Sequence, residues 1–235
     1  MSQDLREFEE KLRQWDVAVK CAVGERLCKA ALYAFAVANQ TLLWPIQRAE
    51  IRIERDPTLR GAAVTSVPEI RRDGRMVIRI GVAPDVNSED VVYHEVAHAM
   101  HAIAARLYLG KQPFTDIPVG LAEAVADAFK WWLANRTGLR HINYPDFETM
   151  RELAKRLLED PNMPTPAAYS HWPAFYIPSP PGGGAVDARR LLIAASDPRE
   201  YERYYRETFE EPRHAPQHAP QSNATSTPAT APPPQ

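Results

Sequence analysis

Two histidines and a glutamate between residues 94 and 98, in the order His-Glu-Val-Ala-His, are the side chains best suited to chemistry. Helical positions four apart lie on one face, so His94 and His98 can bind the same metal ion. A tetrahedral zinc site then has room for a third protein ligand and a water molecule. Glu95 is placed to take a proton from that water as a general base. The pattern is typical of zinc peptidases.

The flanking sequence predicts a helix from about residue 88 to 109. The segment Asn87–Asp90 offers capping side chains and negative charge at its start. Apolar side chains then recur at helical spacing, which gives the helix a face to bury. They are Val91, Val92, Val96, Ala97, Met100, Ile103, Ala104 and Leu107. His101 lies one turn beyond His98 and is expected to support the site or lie at the surface, not to bind the metal.

A second helix, predicted from 116 to 136, offers the third ligand. The metzincin arrangement requires glycine at 101 and histidine at 104, but the chain has His101 and Ala104 there. Glu123 and Asp127 are four residues apart and share a face of the second helix. One carboxylate can bind the metal while the other accepts the second ring proton of a histidine ligand. A pair of solvated acids is the alternative interpretation.

Taken together, His94–His98 and Glu123-Ala-Val-Ala-Asp127 resemble the gluzincin pattern of HExxH followed by a distal ExxAD. This pattern occurs in minigluzincins, in ImmA/IrrE-type peptidases and in the membrane-embedded CAAX prenyl-protease family. The resemblance covers about residues 75 to 135. It implies that His94, His98 and Glu123 bind one catalytic Zn²⁺, that Glu95 is the base, and that Asp127 supports a ligand. Co²⁺ and Mn²⁺ remain open as alternatives to zinc.

Strands are predicted ahead of the zinc helix, at 46–54, 63–67 and 76–80. The turn Arg72-Asp73-Gly74-Arg75 favours a hairpin between the last two. In peptidases that resemble this chain, a strand in this position pairs with the extended substrate backbone. That substrate-binding role is assigned to Val77, Ile78, Arg79 and Ile80, with an ordinary sheet strand as the alternative.

The expected fold class is α+β. A small mixed β-sheet accompanies the HExxH helix and the glutamate-bearing helix, with helical additions at both termini. Residues 1–44 are predicted to form a helical pair that braces the sheet, covers the cleft as a pro-segment or forms a dimer seam. Residues 45–210 are assigned to a zincin-like metallopeptidase domain, with 160–184 as a lid loop. Residues 211–235 are expected to be a disordered tail rich in Pro, Ala and Gln.

A further hydrogen-bond donor is needed for the oxyanion that forms during peptide hydrolysis. Similar enzymes supply a tyrosine or histidine from beyond the glutamate helix. Tyr169 and His171 are the preferred candidates, because the predicted lid could carry them over the metal. His141, Tyr144 and Tyr176 are the other candidates.

The composition restricts the partners. A net charge of −2 and the absence of runs of basic residues exclude the basic surface that is typical of nucleic-acid-binding proteins. No segment has the length and composition of a membrane span. Cys21 and Cys28 are predicted to lie on one helix, about 10 Å apart and too far for a disulfide. With no signal peptide at the start, these features predict a cytoplasmic protein. The oligomeric state is open.

The expected function is therefore zinc-dependent peptide-bond hydrolysis by a metalloendopeptidase acting on a peptide or protein. Two alternatives stay open. One is a catalytically silent binding or regulatory protein that keeps the zincin fold. The other is a zinc hydrolase of a non-peptide substrate, since an activated water attacks many electrophilic carbonyls.

Overall fold

A computed structural model describes residues 3–41, 46–112, 115–139, 146–163, 175 and 189–210. Its helices are α1 (Gln3–Arg13), α2 (Glu25–Thr41), α3 (Glu89–Leu109), α4 (Val119–Thr137), α5 (Phe147–Glu159), α6 (Arg189–Ala194) and α7 (Pro198–Tyr205). A π-helical turn, Arg206–Glu210, follows α7. Its strands are β1 (Val17–Cys21), β2 (Ala49–Arg55), β3 (Ala63–Thr65), β4 (Glu69–Ile70) and β5 (Met76–Val82). The predicted mixed α+β class is confirmed for this part of the chain.

The five strands form one mixed sheet in which four follow the order β1-β2-β5-β3 and β4 also pairs with β5. β1 and β2 are parallel, as are β2 and β5, whereas β3 and β4 both run antiparallel to β5. Alternate side chains of β2 and β5 point to one face, which is buried beneath the helices: Ile51, Ile53, Ile78, Ile80 and Val82. The opposite face carries charged residues, where Glu50 accepts hydrogen bonds from Arg52, Lys20 and Arg71.

The first part of the chain differs from the predicted helical pair, because strand β1 separates the two helices. Helix α1 ends at Arg13, and Asp16 turns the chain with a positive φ of 55°. Val17 and Val19 then follow the two-residue period of a strand that pairs with β2. This segment is thus part of the sheet, and α1 packs on both α2 and β1.

The prediction for the two cysteines is wrong. Cys21 and Cys28 form a disulfide with a Cα–Cα distance of 5.6 Å. Cys21 ends β1 and Cys28 lies in the first turn of α2, with Gly24 at a φ of 106° reversing the chain between them. The predicted distance assumed one continuous helix. The cysteines therefore give no support to the predicted cytoplasmic location, which stays a prediction.

The substrate-binding role predicted for Val77, Ile78, Arg79 and Ile80 requires an open strand edge, and the strand pairing does not provide one. These residues belong to β5, which pairs with β2 along one edge and with β3 and β4 along the other. In the segment of chain between β3 and β4, the amide of Ser66 donates to the carbonyl of Arg79. Both edges of β5 are occupied, so its backbone has no groups left for another chain. On this side of the sheet, the outer edge belongs to β3, which no described strand covers.

Helix α3 crosses the sheet beside β3 and β5 and packs against α2 on one side and α4 on the other. Its residues from Val92 to Ala105 are almost all buried. Helix α4 is buried over most of its length as well. No helix in the described part of the chain is both long and apolar enough to cross a membrane.

Candidate metal centre

The two histidines of the motif face each other on α3. The helix has acidic residues, Glu89 and Asp90, in its first turn and ends at Gly110, whose φ of 63° suits glycine. The rings of His94 and His98 have centroids 4.6 Å apart, and their Nε2 atoms are separated by 3.0 Å. Both rings thus direct the same nitrogen into one small space.

Helix α4 brings Glu123 to that space. The helix begins after Pro118 and ends at Gly138, which adopts the left-handed conformation with a φ of 68°. Glu123 Oε2 lies 3.1 Å from Nε2 of His94, and Oε1 lies 3.3 Å from Nε2 of His98. Ligand atoms of the three residues all lie within 4.8 Å of one another, which is close enough to hold one metal ion. Two imidazoles and a carboxylate suit zinc.

Asp127 fixes the orientation of His94 from the other side of the ring. Its Oδ1 lies 3.0 Å from Nδ1 of His94, so Nε2 is directed towards Glu123 and His98. Lys130 donates to the same carboxylate oxygen at 2.6 Å. The sequence did not predict a role for Lys130, although residues three apart on a helix, such as Asp127 and Lys130, can form an ion pair.

The charges of the site are coupled through these contacts. Burial opposes protonation of His94, but its hydrogen bonds to Asp127 and Glu123 prevail and raise its pKa to about 9. Burial likewise opposes ionisation of Glu123, yet the hydrogen bonds from His94 and His98 hold its pKa well below the usual range. These directions favour a protonated His94 beside an ionised Glu123 when no metal is bound. Binding of a metal ion to Nε2 of His94 at neutral pH would then release a proton.

Glu95 directly follows the candidate ligand His94 in the sequence but makes its own contact. Its side chain is buried, and Oε2 accepts a hydrogen bond of 2.6 Å from Oγ1 of Thr65. The same hydroxyl lies 3.1 Å from the carbonyl oxygen of Glu95. Thr65 belongs to β3, so the edge strand and the zinc-motif helix are joined at this residue. No sequence signal pointed to Thr65, because the contact spans thirty residues of chain.

His101 is fully buried, so the surface position considered for it is excluded. Its Nε2 lies 2.9 Å from Oγ of Ser196, which itself donates to the carbonyl of Leu192 at 2.7 Å. The ring nitrogen must therefore be the donor to Ser196. Burial, together with the nearby His98, lowers the pKa of His101 to about 3, so the ring is neutral. It connects α3 to the turn between α6 and α7.

The predicted oxyanion donors, Tyr169 and His171, lie outside the described residues, as do His141, Tyr144 and Tyr176. Most of the predicted 160–184 loop also lies outside them. Its described residues are 160–163 and Phe175, which is buried with its ring centroid 5.3 Å from that of Tyr201 and 5.1 Å from that of Tyr204. Comparisons of the chain with protein-family models, curated proteins and solved structures find no match.

Proposed function

We propose that the protein is a zinc-dependent hydrolase of peptide bonds. The observation that carries this proposal is the convergence of His94, His98 and Glu123 within 4.8 Å, with Glu95 on the same helix as the two histidines. Such a set of residue types is what the gluzincin resemblance of the sequence implies. Three protein ligands are the number found in catalytic zinc sites, where the fourth position takes water or substrate.

The donor set fits zinc because it combines neutral imidazole nitrogens with one carboxylate. When bound, zinc supplies the Lewis acidity that makes a water molecule nucleophilic at neutral pH and polarises the scissile carbonyl. Asp127 accepts from Nδ1 of His94 and so fixes its tautomer with Nε2 free for the metal. Lys130 holds the Asp127 carboxylate in place for that task.

Glu95 is the proposed general base. It takes a proton from the attacking water and delivers it to the leaving amine, for which a carboxylate next to a ligand histidine is well placed. Thr65 holds one of its carboxylate oxygens, so Glu95 does not rotate freely about its side-chain bonds. Because the pair is buried, little water competes for this hydrogen bond.

The proposed place for the substrate backbone is the outer edge of β3. Ala62 and Ser66 hydrogen-bond to β5, and antiparallel ladders bond through alternate residues. The backbone groups of Ala63 and Thr65 therefore point away from the sheet, where an extended peptide can pair with them. The same strand holds Glu95 through Thr65, which brings the paired peptide next to the base. The role of Tyr169 or His171 as oxyanion donor stays a prediction.

The experiment is a cleavage assay of a diverse peptide library followed by mass spectrometry, with wild type, Glu95→Gln and the control Glu152→Gln. Glu152 is an exposed acid on α5, outside the site. We expect cleavage by wild type and the control, and loss of at least about a hundredfold in rate for Glu95→Gln, since a general base contributes about 10²–10⁴-fold. Removing the metal with a chelator should abolish cleavage, and zinc should restore it.

A library is needed because a peptidase that cuts one partner is inactive on a general substrate such as casein. If Glu95→Gln cleaves as fast as wild type, the assigned mechanism is contradicted. If wild type holds zinc but cleaves no peptide, a binding protein or a hydrolase of another carbonyl substrate takes its place. Hydrolysis of simple aryl esters by wild type, lost in Glu95→Gln, then separates these two alternatives.

A further inference from the structure

A cleft with a volume of about 480 Å³ is lined by none of the three candidate metal ligands. It is formed by α1, α2, the first turns of α3 and the end of α4. Three cationic side chains line it, Arg26, Lys29 and Arg136, against one acid, Glu89. The excess of positive charge is local, because the chain as a whole has a net charge of −2. An anion is therefore attracted to this cleft.

The arginines are arranged so that positive charge remains available. Arg26 lies 3.6 Å from Glu89 through Nε and donates through its terminal nitrogen to the carbonyl of Asn87. Arg136 has no carboxylate partner in the described part of the chain, and its guanidinium lies 5.4 Å from the ring centroid of Trp132. Stacking on an aromatic ring leaves the edge of a guanidinium, with its N–H donors, free to bind an anion.

Aromatic rings line the same cleft. Phe8 and Tyr33 contact each other edge to face, with centroids 5.3 Å apart. Tyr93 is almost fully buried and also lines the cleft, next to Thr137. These rings give a planar apolar group a surface to pack on. Cationic groups and aromatic rings together indicate a ligand with an anionic group and a ring.

We propose that this cleft binds a small organic anion in which a phosphate or carboxylate is attached to an aromatic ring. The anionic group contacts Arg136, Arg26 and Lys29, and the ring packs on Phe8 and Tyr33. The volume is within the range of about 300–1,000 Å³ that small-molecule sites occupy. The inference goes beyond the proposed peptidase function and does not depend on it.

The position of the cleft gives such a ligand a structural effect. Tyr93 directly precedes His94 on α3, and Arg136 lies on α4, the helix that carries Glu123. Phe8 and Tyr33 belong to α1 and α2. A ligand held by these residues contacts α1, α2 and α4 and stabilises their packing, so it raises the thermal stability of the protein by mass action.

The test is isothermal titration of the full chain with phenyl phosphate, inorganic phosphate and benzyl alcohol at constant ionic strength. Wild type, Arg136→Gln and Lys29→Gln are compared with Lys155→Gln, which removes one charge from an exposed position on α5. We expect wild type and Lys155→Gln to bind phenyl phosphate with equal affinity and more tightly than either other compound. We expect Arg136→Gln to weaken binding at least about tenfold, because hydrogen bonds to charged groups are the strong ones. Lys29→Gln should weaken it to a smaller extent, and circular dichroism checks that each variant is folded.

Three results would overturn the proposal. One is the absence of phenyl phosphate binding to wild type, and another is equal affinity of wild type and both cleft variants. The third is inorganic phosphate binding as tightly as phenyl phosphate, since the aromatic lining would then play no part. If Arg136→Gln does not fold, the affinity of Lys29→Gln decides. Weaker binding of phenyl phosphate than by wild type supports the proposal, and equal binding contradicts it.

Discussion

His94 lies between two carboxylates, and each holds one nitrogen of its ring. Asp127 contacts Nδ1 at 3.0 Å and Glu123 contacts Nε2 at 3.1 Å. The two acids are thus assigned different tasks by geometry, although both stand on the same face of α4. Glu123 also reaches His98, whereas Asp127 also reaches Lys130. Only Glu123 can complete the candidate metal site, and Asp127 orients the ring.

Asp127→Asn should weaken metal binding without abolishing it. The amide can still occupy the place beside Nδ1, but it withdraws the negative charge that makes His94 a better ligand. Residues that support a ligand in this way typically contribute about 10–100-fold to metal affinity. The measurement is the zinc dissociation constant by competition with a chelating dye, and Glu152→Gln serves as the control for loss of one negative charge. Affinity unchanged from wild type would contradict the orienting role.

The neutral state of His101 predicts a loss of stability in acid. Its folded pKa of about 3 lies below its ordinary value of 6.5. Between these values the unfolded chain binds one more proton than the folded protein, so the free energy of unfolding falls as the pH falls. The decrease is about 1 kcal/mol for each pH unit below 6.5, from this residue alone.

His101→Gln removes the titrating ring but keeps a donor for Ser196. We therefore expect the difference in stability between about pH 7 and about pH 5 to be smaller in this variant than in wild type. Urea unfolding of the chelator-treated proteins at both pH values measures it. The same pH dependence in both proteins would contradict this account, because protonation of His101 would then not lower the free energy of unfolding.

At the level of elements, the disulfide connects β1 to α2 at the edge of the sheet. Cys21→Ser combined with Cys28→Ser should lower the free energy of unfolding by about 2 kcal/mol, because a short closed loop gives the smaller end of the usual stabilisation. Urea unfolding measures this difference. A reductant should destabilise wild type by a similar amount and leave the double variant unchanged. If the reductant leaves wild type unaffected, the bridge does not contribute to stability.

Gly120 lets another segment approach the first turn of α4. A Cβ atom at this position would lie 2.7 Å from the carbonyl oxygens of Pro161 and Met163 and 3.0 Å from Cδ2 of Leu157. Gly120→Ala should therefore destabilise the protein by about 1–3 kcal/mol, despite the higher helix propensity of alanine. The change in melting temperature measures it, and Gly138 is unsuited as a control because its φ is positive. Ala122→Gly, which removes a methyl group from the same turn, is the comparison. A stabilised Gly120→Ala protein would contradict the close approach.

The sequence predicted the helices of the site well, because their signals are local. The spacing of His94 and His98 places both on one face of any helix, and apolar periodicity defined α3 and α4 to within a few residues. Contacts between distant elements were beyond such reasoning. The pairing of β5 on both edges, the hydrogen bond from Thr65 to Glu95 and the bond from His101 to Ser196 depend on tertiary packing. The cysteine prediction was wrong because a five-residue strand was taken for the start of a helix.

At the scale of the whole molecule, the sheet and the helices together position the residues of the candidate metal site. The apolar face of the sheet belongs to one core with α2 and α3, and α3 packs beside the edge strand β3. Helix α4 packs along α3 and places Glu123 opposite the two histidines. The proposed substrate edge, the proposed base and the candidate metal ligands thus belong to three neighbouring elements. Residues 3–41 contribute α1, β1 and α2 to the same body, and the bracing role considered for residues 1–44 stays a prediction.

The metal content of the purified protein tests the central claim most directly. Elemental analysis is carried out on wild type, Glu123→Ala and Glu95→Gln after gentle purification. The proposed ligand set predicts about one zinc ion per chain in wild type and in Glu95→Gln, since Glu95 is not a ligand, and loss of the metal in Glu123→Ala. No metal in wild type, or an unchanged zinc content in Glu123→Ala, would contradict the assignment of His94, His98 and Glu123 as a metal centre.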